Sequence, residues 1–130
     1  MTDADAFEKS LELVAEKCGD PVKIVYNQVY KRHPHVQKLF VLDTDEGARG
    51  HMLTEALACA QDLLSENNYA TTFIASERMN HEGYDIGNDV FESFYSIVFQ
   101  VFRDASGGDW TADMDRAWQT VIARVSAAHF

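Results

Sequence analysis

Apolar side chains recur along most of this chain at the three- and four-residue spacing that is typical of α-helices. The first apolar stripe lies in residues 3–17, and the second runs over about residues 21–32 with Asp20 as its predicted N-cap. Pro34 disfavours helical backbone at His33 and is therefore expected to end the second helix. A short turn or helix follows, with the apolar residues Val36, Leu39 and Phe40.

Four further helices are predicted downstream. After the polar loop LDTDEGARG, a helix is expected from roughly Asp45 to Ser65, followed by a shorter one over 69–81. Residues 88–103 are the most apolar stretch, which is typical of an inner helix packed on several sides. A last helix covers about 111–127. The pattern predicts an all-α fold of about seven helices, with no convincing strand, in a single domain over residues 1–130.

The composition narrows the class of protein and its partners. An apolar fraction of 46% over 130 residues is typical of a globular domain. The net charge of -10 disfavours nucleic acid as a partner, because nucleic-acid binders neutralise phosphates with Lys and Arg, and it disfavours an anionic membrane surface as well. We recognise no secretory leader and no apolar run of the ~20 residues that span a bilayer, so a cytoplasmic location is expected. Cys18 and Cys59 are expected to be buried thiols, without a disulfide framework.

Most familiar catalytic and metal motifs are absent from the sequence. There is no phosphate-binding loop, no dinucleotide-binding glycine pattern, no H-E-x-x-H helix and no C-x-x-C zinc pair. The stretch MNHEGYDIG contains His81 with carboxylates nearby, which by itself is a weak metal signal. Taken alone, His81 is best interpreted as a solvated histidine near a helix end.

Residues at fixed distances from His81 change that interpretation. In IVYNQVYKRHPHVQKLF, Tyr26 precedes Phe40 by fourteen residues (40 − 26 = 14), with a proline between them. Arg49, in GARGHMLTEALACA, precedes His81 by thirty-two residues (81 − 49 = 32), and YDIGNDVF and DWTADMDRAW follow downstream. From about residue 7 to residue 125, this ordered set resembles the globin family, specifically the bacterial single-domain globins and the haem domain of flavohaemoglobins.

The resemblance implies a haem pocket, with haem b (iron protoporphyrin IX) as the cofactor. His81 matches the proximal histidine, whose ring nitrogen ligates the iron; its other ring nitrogen is expected to donate to a backbone carbonyl about one turn earlier. Phe40 matches the phenylalanine that packs on the haem face, and Ile86 is a candidate contact at the haem edge. Tyr26 matches the distal tyrosine, whose hydroxyl is expected to stabilise a bound gas.

The register of the helix that begins near Asp45 decides which residues reach the distal side. Arg49 matches the family's distal Gln or His, although a surface arginine paired with Glu46 or with a haem propionate remains an open alternative. Leu53, four residues further on, matches the apolar residue above the iron. A competing register with His51 as the distal residue is disfavoured, because it would place Glu55 over the iron and turn Leu53 away. The apolar spacing predicts the same inward face, namely Leu53, Ala56, Leu57, Ala60 and Leu64.

The expected activity depends on what supports His81. In flavohaemoglobins a Tyr and a Glu do so, but the matching position here is Phe91, which is expected to contact the haem, and the sequence ends at Phe130 before the Glu position. Peroxidase or NO dioxygenase activity is therefore less expected, and with no reductase domain following it would need an external reductase. The first expectation is reversible binding of O2, NO or CO by a monomer or homodimer. The alternatives are an NO- or peroxide-detoxifying haem enzyme and a haem-free sensory or interaction module with a globin fold.

Overall fold

The computed structural model describes residues 2–66, 69–84 and 86–129. Within these ranges the chain forms six α-helices, two short 3₁₀ helices and no strand, which confirms the all-α prediction. The α-helices are α1 (Asp3–Cys18), α2 (Val22–Arg32), α3 (Gly47–Leu64), α4 (Ala70–Gly83), α5 (Asn88–Ser106) and α6 (Ala112–Ala127), and the 3₁₀ helices span Pro34–Phe40 and Gly107–Asp109. The sequence ENN, which follows the helix expected to end near Ser65, includes Asn67 and Asn68, which lie outside these ranges. None of the described helices is long and apolar enough to cross a membrane.

Short polar side chains explain where several helices begin. Thr111 caps α6, because its hydroxyl accepts a hydrogen bond from the backbone N–H of Met114. The first residue of α2 is Val22, so Pro21 occupies the N-cap position that was expected for Asp20, although the Asp20 carboxylate still accepts the Val22 N–H at 3.1 Å. Both bonds span only two or three residues, and for this reason the sequence pattern can indicate a cap such as Asp20.

The start of α3 is organised by a carboxylate several residues earlier in the chain. The helix begins at Gly47, directly after Glu46, whose φ of 63° lies in the left-handed region. The Asp43 carboxylate accepts the backbone N–H groups of Ala48 and Arg49 at 2.9 and 3.0 Å. These hydrogen bonds hold the pKa of the Asp43 carboxyl below its usual value, and the bond from Ala48 has the largest effect. The loop that follows Phe40 is therefore fastened to the first turn of α3.

The core is centred on α5 and α6, and α5 contacts α1, α2, α4 and α6, as expected for an inner helix. Trp118 of α6 is fully buried, with its ring centroid 4.8 Å from that of Phe7 and 5.5 Å from that of Phe102. Its indole N–H donates to the Ser10 hydroxyl at 2.9 Å, across 108 positions of sequence. A buried tryptophan of this kind contributes a large apolar area and needs a partner for its N–H, and both conditions are met here.

Candidate functional site

A largely apolar cavity of about 290 Å³ is enclosed by side chains of α2, the first 3₁₀ helix, α3, α4 and α5. Its volume lies near the lower end of the range for small-molecule sites, and such sites are typically lined by aliphatic and aromatic groups. Five of the seven site residues predicted from the sequence line it, namely Tyr26, Phe40, His81, Ile86 and Phe91. The other two, Arg49 and Leu53, do not.

His81 lies in the last turn of α4, and its ring is held in one tautomer. Nδ1 is 2.7 Å from the main-chain oxygen of Glu77, four residues earlier. A carbonyl oxygen only accepts hydrogen bonds, so Nδ1 carries the proton and donates it, which confirms the expected backbone bond. In the neutral ring, Nε2 then has a lone pair, and it has no hydrogen-bond partner among the described residues. The Phe91 ring packs against the imidazole with a centroid distance of 5.0 Å.

Arg78, three residues before His81, is a buried cation that the sequence analysis did not single out. Its guanidinium donates to the main-chain oxygens of Val125 at 2.8 Å and Ala128 at 3.3 Å, and to the Glu92 carboxylate at 2.9 Å. Its guanidinium carbon also lies 5.1 Å from the centroid of the Phe91 ring. Arg78 therefore joins α4 to α5 and to the end of α6, and it contacts the same ring that packs on the imidazole.

Tyr26 lines the cavity and has a buried hydroxyl without a partner in the described part of the chain. The residue is 2% exposed, and its ring centroid lies 5.5 Å from that of Phe40 and 5.8 Å from that of Phe94. Its Oη makes no hydrogen bond within the described part of the chain. Burial raises the pKa of the Tyr26 phenol above its usual value, so the hydroxyl keeps its proton at neutral pH. An unpaired buried hydroxyl costs about 1–3 kcal/mol, and a polar guest in the cavity would relieve that cost.

The face that α3 turns toward the cavity differs from the expected one. Leu53 is buried at 3% exposure in the core but does not line the cavity, whereas its neighbour Met52 does. Successive helical residues are rotated by about 100°, so the expected register is displaced by one residue. The expected register also turned His51 and Glu55 away from the distal side, but both side chains line the cavity. The α3 residues that do so are His51, Met52, Glu55, Ala56 and Cys59.

The reason for this difference is that α3 has no single apolar stripe. It contacts α1, α2, α4 and α6, so apolar side chains are required on more than one side. Met52 and Leu53 are adjacent apolar residues, and helical spacing alone does not decide which of them faces a particular neighbour. Of the inward face predicted from the sequence, only Ala56 reaches the cavity.

Arg49 is bound to the loop before α3. Its Nε donates to the Asp43 carboxylate at 2.9 Å, and Nη2 donates to the main-chain oxygen of Asp43 at 2.7 Å. Nη1 lies 3.4 Å from the Tyr30 hydroxyl. Glu46, the partner considered for Arg49, instead pairs with Lys23 at 3.5 Å. The alternative of a surface arginine paired with Glu46 is therefore also wrong in its partner, because Arg49 is largely buried and pairs with Asp43.

Five titratable side chains that received no cavity role in the predictions from the sequence reach the cavity wall: His51, Glu55, Cys59, Glu77 and Tyr95. Burial raises the pKa of the Cys59 thiol to about 11, which keeps it protonated at neutral pH. Glu77 was detectable in principle, because residues four apart on a helix are neighbours and it stands one turn before His81. The described residues contain no group of three or more His, Cys, Asp or Glu side chains that could hold a metal ion. A histidine in a largely apolar wall suits a flat apolar cofactor that carries its own metal.

Comparison with known proteins identifies one family. The family model described as Globin matches residues 23–129, which is well over half of the chain and includes every residue that lines the cavity. Neither the curated proteins nor the solved structures gave a significant match.

Proposed function

Because the chain belongs to the globin family, we propose that this cavity holds haem b and that the protein reversibly binds O2 or another diatomic gas such as NO or CO. The observation that carries the proposal is the tautomer of His81. Its Nδ1 donates to the Glu77 carbonyl, so that Nε2 is the nitrogen with the lone pair when the ring is neutral, and His81 lines a largely apolar cavity. Haem iron held by one imidazole supplies an open coordination position for a diatomic gas.

The residues of the cavity fit such a group. Haem is a broad apolar disc with two propionates at one edge, and the aromatic and aliphatic groups of Phe40, Ile86 and Phe91 offer the apolar wall that it needs. The donor set is the imidazole of His81, whose Nε2 can ligate a metal when the ring is neutral. The unpaired Tyr26 hydroxyl is the polar group that a ligand-binding cavity needs for selecting a polar guest.

Tyr26 is proposed to stabilise the bound gas. Its hydroxyl is protonated and free of protein partners, so it can donate a hydrogen bond to a polar diatomic molecule in the cavity. Such a bond contributes on the order of 1 kcal/mol, and more when the acceptor carries negative charge.

Gas binding is placed ahead of detoxification because Phe91 packs on His81 through an apolar ring and offers it no hydrogen bond. An NO- or peroxide-detoxifying enzyme that uses an external reductase remains the alternative activity. The unpaired Tyr26 hydroxyl and the fixed His81 tautomer argue against a haem-free sensory or interaction module. The assignment to the bacterial single-domain globins, the cytoplasmic location and a monomeric or dimeric state stay predictions.

The test is titration of the purified protein with hemin, followed by its visible absorption spectrum. We expect a Soret band in the wild-type protein and its loss or strong weakening in His81→Ala. His51→Ala is the matched control, because it removes another histidine from the same cavity wall and is expected to keep the band. A wild-type protein that gives no Soret band would contradict the haem proposal, and loss of the band in His51→Ala alone would move the axial ligand to His51.

A further inference from the structure

Glu77 presents two different groups to the same nitrogen of His81. Its main-chain oxygen accepts the Nδ1–H bond at 2.7 Å, and its carboxylate oxygen Oε2 lies 3.9 Å from Nδ1. The other carboxylate oxygen accepts a hydrogen bond from the Asn80 side-chain amide at 3.3 Å, which restrains the carboxylate. The side chains of His81 and Glu77 are 24% and 35% exposed, so their interaction is only partly screened by water.

A negative charge beside Nδ1 changes what Nε2 can do. When an imidazole donates its Nε2 lone pair to a metal, the ring becomes more positive, and a nearby anion stabilises that charge. The other group packed on the imidazole, the ring of Phe91, is apolar and cannot supply this stabilisation. The cation of Arg78, next to Glu77 in sequence, is already paired with the Glu92 carboxylate and with carbonyls at the end of α6.

We propose that the Glu77 carboxylate tunes His81 as a haem ligand, making the imidazole a stronger electron donor and thereby favouring the oxidised iron. Glu77 is a positioning residue here, because it acts through His81 and not on the bound gas. The proposal rests on the proposed haem-binding function. Under this proposal a residue of α4 increases electron donation to the iron, which the apolar Phe91 ring does not do. Such donation would favour the detoxifying alternative.

The experiment compares four haem-loaded proteins: wild type, Glu77→Gln, Glu77→Asp and Glu82→Gln. Glu82 is an exposed residue of the same helix and next to His81, so Glu82→Gln removes the same charge without removing the contact with Nδ1. The readouts are the Fe(III)/Fe(II) midpoint potential from spectroelectrochemical titration and the iron–histidine stretching frequency from resonance Raman spectra of the ferrous protein. Neither readout depends on turnover.

In Glu77→Gln we expect the Fe(III)/Fe(II) equilibrium to shift toward Fe(II) by roughly threefold or more, as is typical of losing one partly screened charge contact. The iron–histidine frequency is expected to fall in the same variant. Glu77→Asp, which keeps the charge on a shorter side chain, is expected to lie between wild type and Glu77→Gln, and it serves as the second variant if the glutamine form does not fold. Glu82→Gln is expected to shift the equilibrium clearly less and to leave the frequency unchanged.

The outcomes separate this inference from the function on which it rests. Equal shifts in Glu77→Gln and Glu82→Gln, with an unchanged iron–histidine frequency, would show that only net charge matters and would overturn the role of Glu77 alone. A wild-type protein that takes up no hemin would overturn the haem proposal, and this inference with it.

Discussion

The two sides of the cavity differ in how their polar groups are satisfied. On the α4 and α5 side, the His81 Nδ1 and the Arg78 guanidinium are both bound to carbonyl oxygens. On the α2 and α3 side, the Tyr26 hydroxyl is unpaired, and Arg49 is committed to Asp43. One side is thus fixed before any ligand arrives, whereas the other keeps a donor free at some cost in stability. The difference suits a site that holds one atom rigidly and selects its guest on the opposite side.

The largest effect is expected from releasing the fixed side. Arg78→Met should lower the free energy of unfolding by about 4 kcal/mol, because it removes two charge-assisted hydrogen bonds to carbonyls at the end of α6 and an ion pair with the partly exposed Glu92 carboxylate. Arg116→Met is the control: its guanidinium is 61% exposed and pairs with Asp113 at the surface, so it should cost less than about 1 kcal/mol. Urea denaturation followed by circular dichroism measures both. Equal small losses would mean that Arg78 does not hold this side in place.

A second comparison tests which residue of α3 faces the cavity. Leu53→Ala should cost about 3 kcal/mol of stability by opening a hole in the core, while leaving the Soret band of the haem-loaded protein nearly unchanged. Met52 is only partly buried, so Met52→Ala should cost less stability but should alter the Soret band and the rate of CO rebinding after photolysis. The reverse pattern, with Leu53→Ala changing the spectrum more, would restore the register expected from the sequence.

The smallest change in stability is expected on the α2 and α3 side, where the direction of the change is more informative than its size. Tyr26→Phe removes an unpaired buried hydroxyl, so the haem-free protein should be unchanged or more stable by up to about 1 kcal/mol. The same variant should release O2 roughly fivefold faster, the equivalent of about 1 kcal/mol.

Tyr30→Phe is the matched control for this prediction, since the Tyr30 hydroxyl accepts a hydrogen bond from Arg49. It should slightly destabilise the protein and leave O2 release unchanged. Stopped-flow release kinetics and thermal unfolding supply the two measurements. If release from Tyr26→Phe matched that of the wild type, the proposed role of Tyr26 in stabilising the gas would be lost.

The features that could be predicted from the sequence depend on interactions between residues that are close to one another in the chain. The helices and many of their ends depend on signals within a few residues, such as Asp20 before α2 and Pro34 after it. The His81 tautomer depends on a carbonyl in the same helix, four residues away, and it could be predicted for the same reason. The family resemblance added Tyr26 and Phe40, whose contact joins α2 to the short helix after it.

The features that escaped prediction depend on distant parts of the chain. The cavity face of α3 is set by four neighbouring helices at once, and adjacent apolar residues such as Met52 and Leu53 do not reveal which neighbour each one meets. Arg78 looks like a surface arginine in ASERMNH, because its partners Val125 and Ala128 lie 47 and 50 positions downstream. Spacing matches Arg49 to a distal position, but its backbone N–H and its guanidinium both donate to the Asp43 carboxylate at the start of α3.

The bonds that join α6 to the rest of the fold also determine when the pocket can be completed during protein synthesis. Arg78 of α4 donates to carbonyls of Val125 and Ala128, and Ser10 of α1 accepts from the indole of Trp118. These partners all lie in residues 118–128, which are among the last described residues to leave the ribosome. Until then a guanidinium that is buried in the native state has no such partners, and the Phe7 ring lacks the tryptophan on which it packs. Arg78, and the Phe91 ring that it contacts, therefore reach their native surroundings only after α6 has been translated, and a pocket for a cofactor would be completed only then.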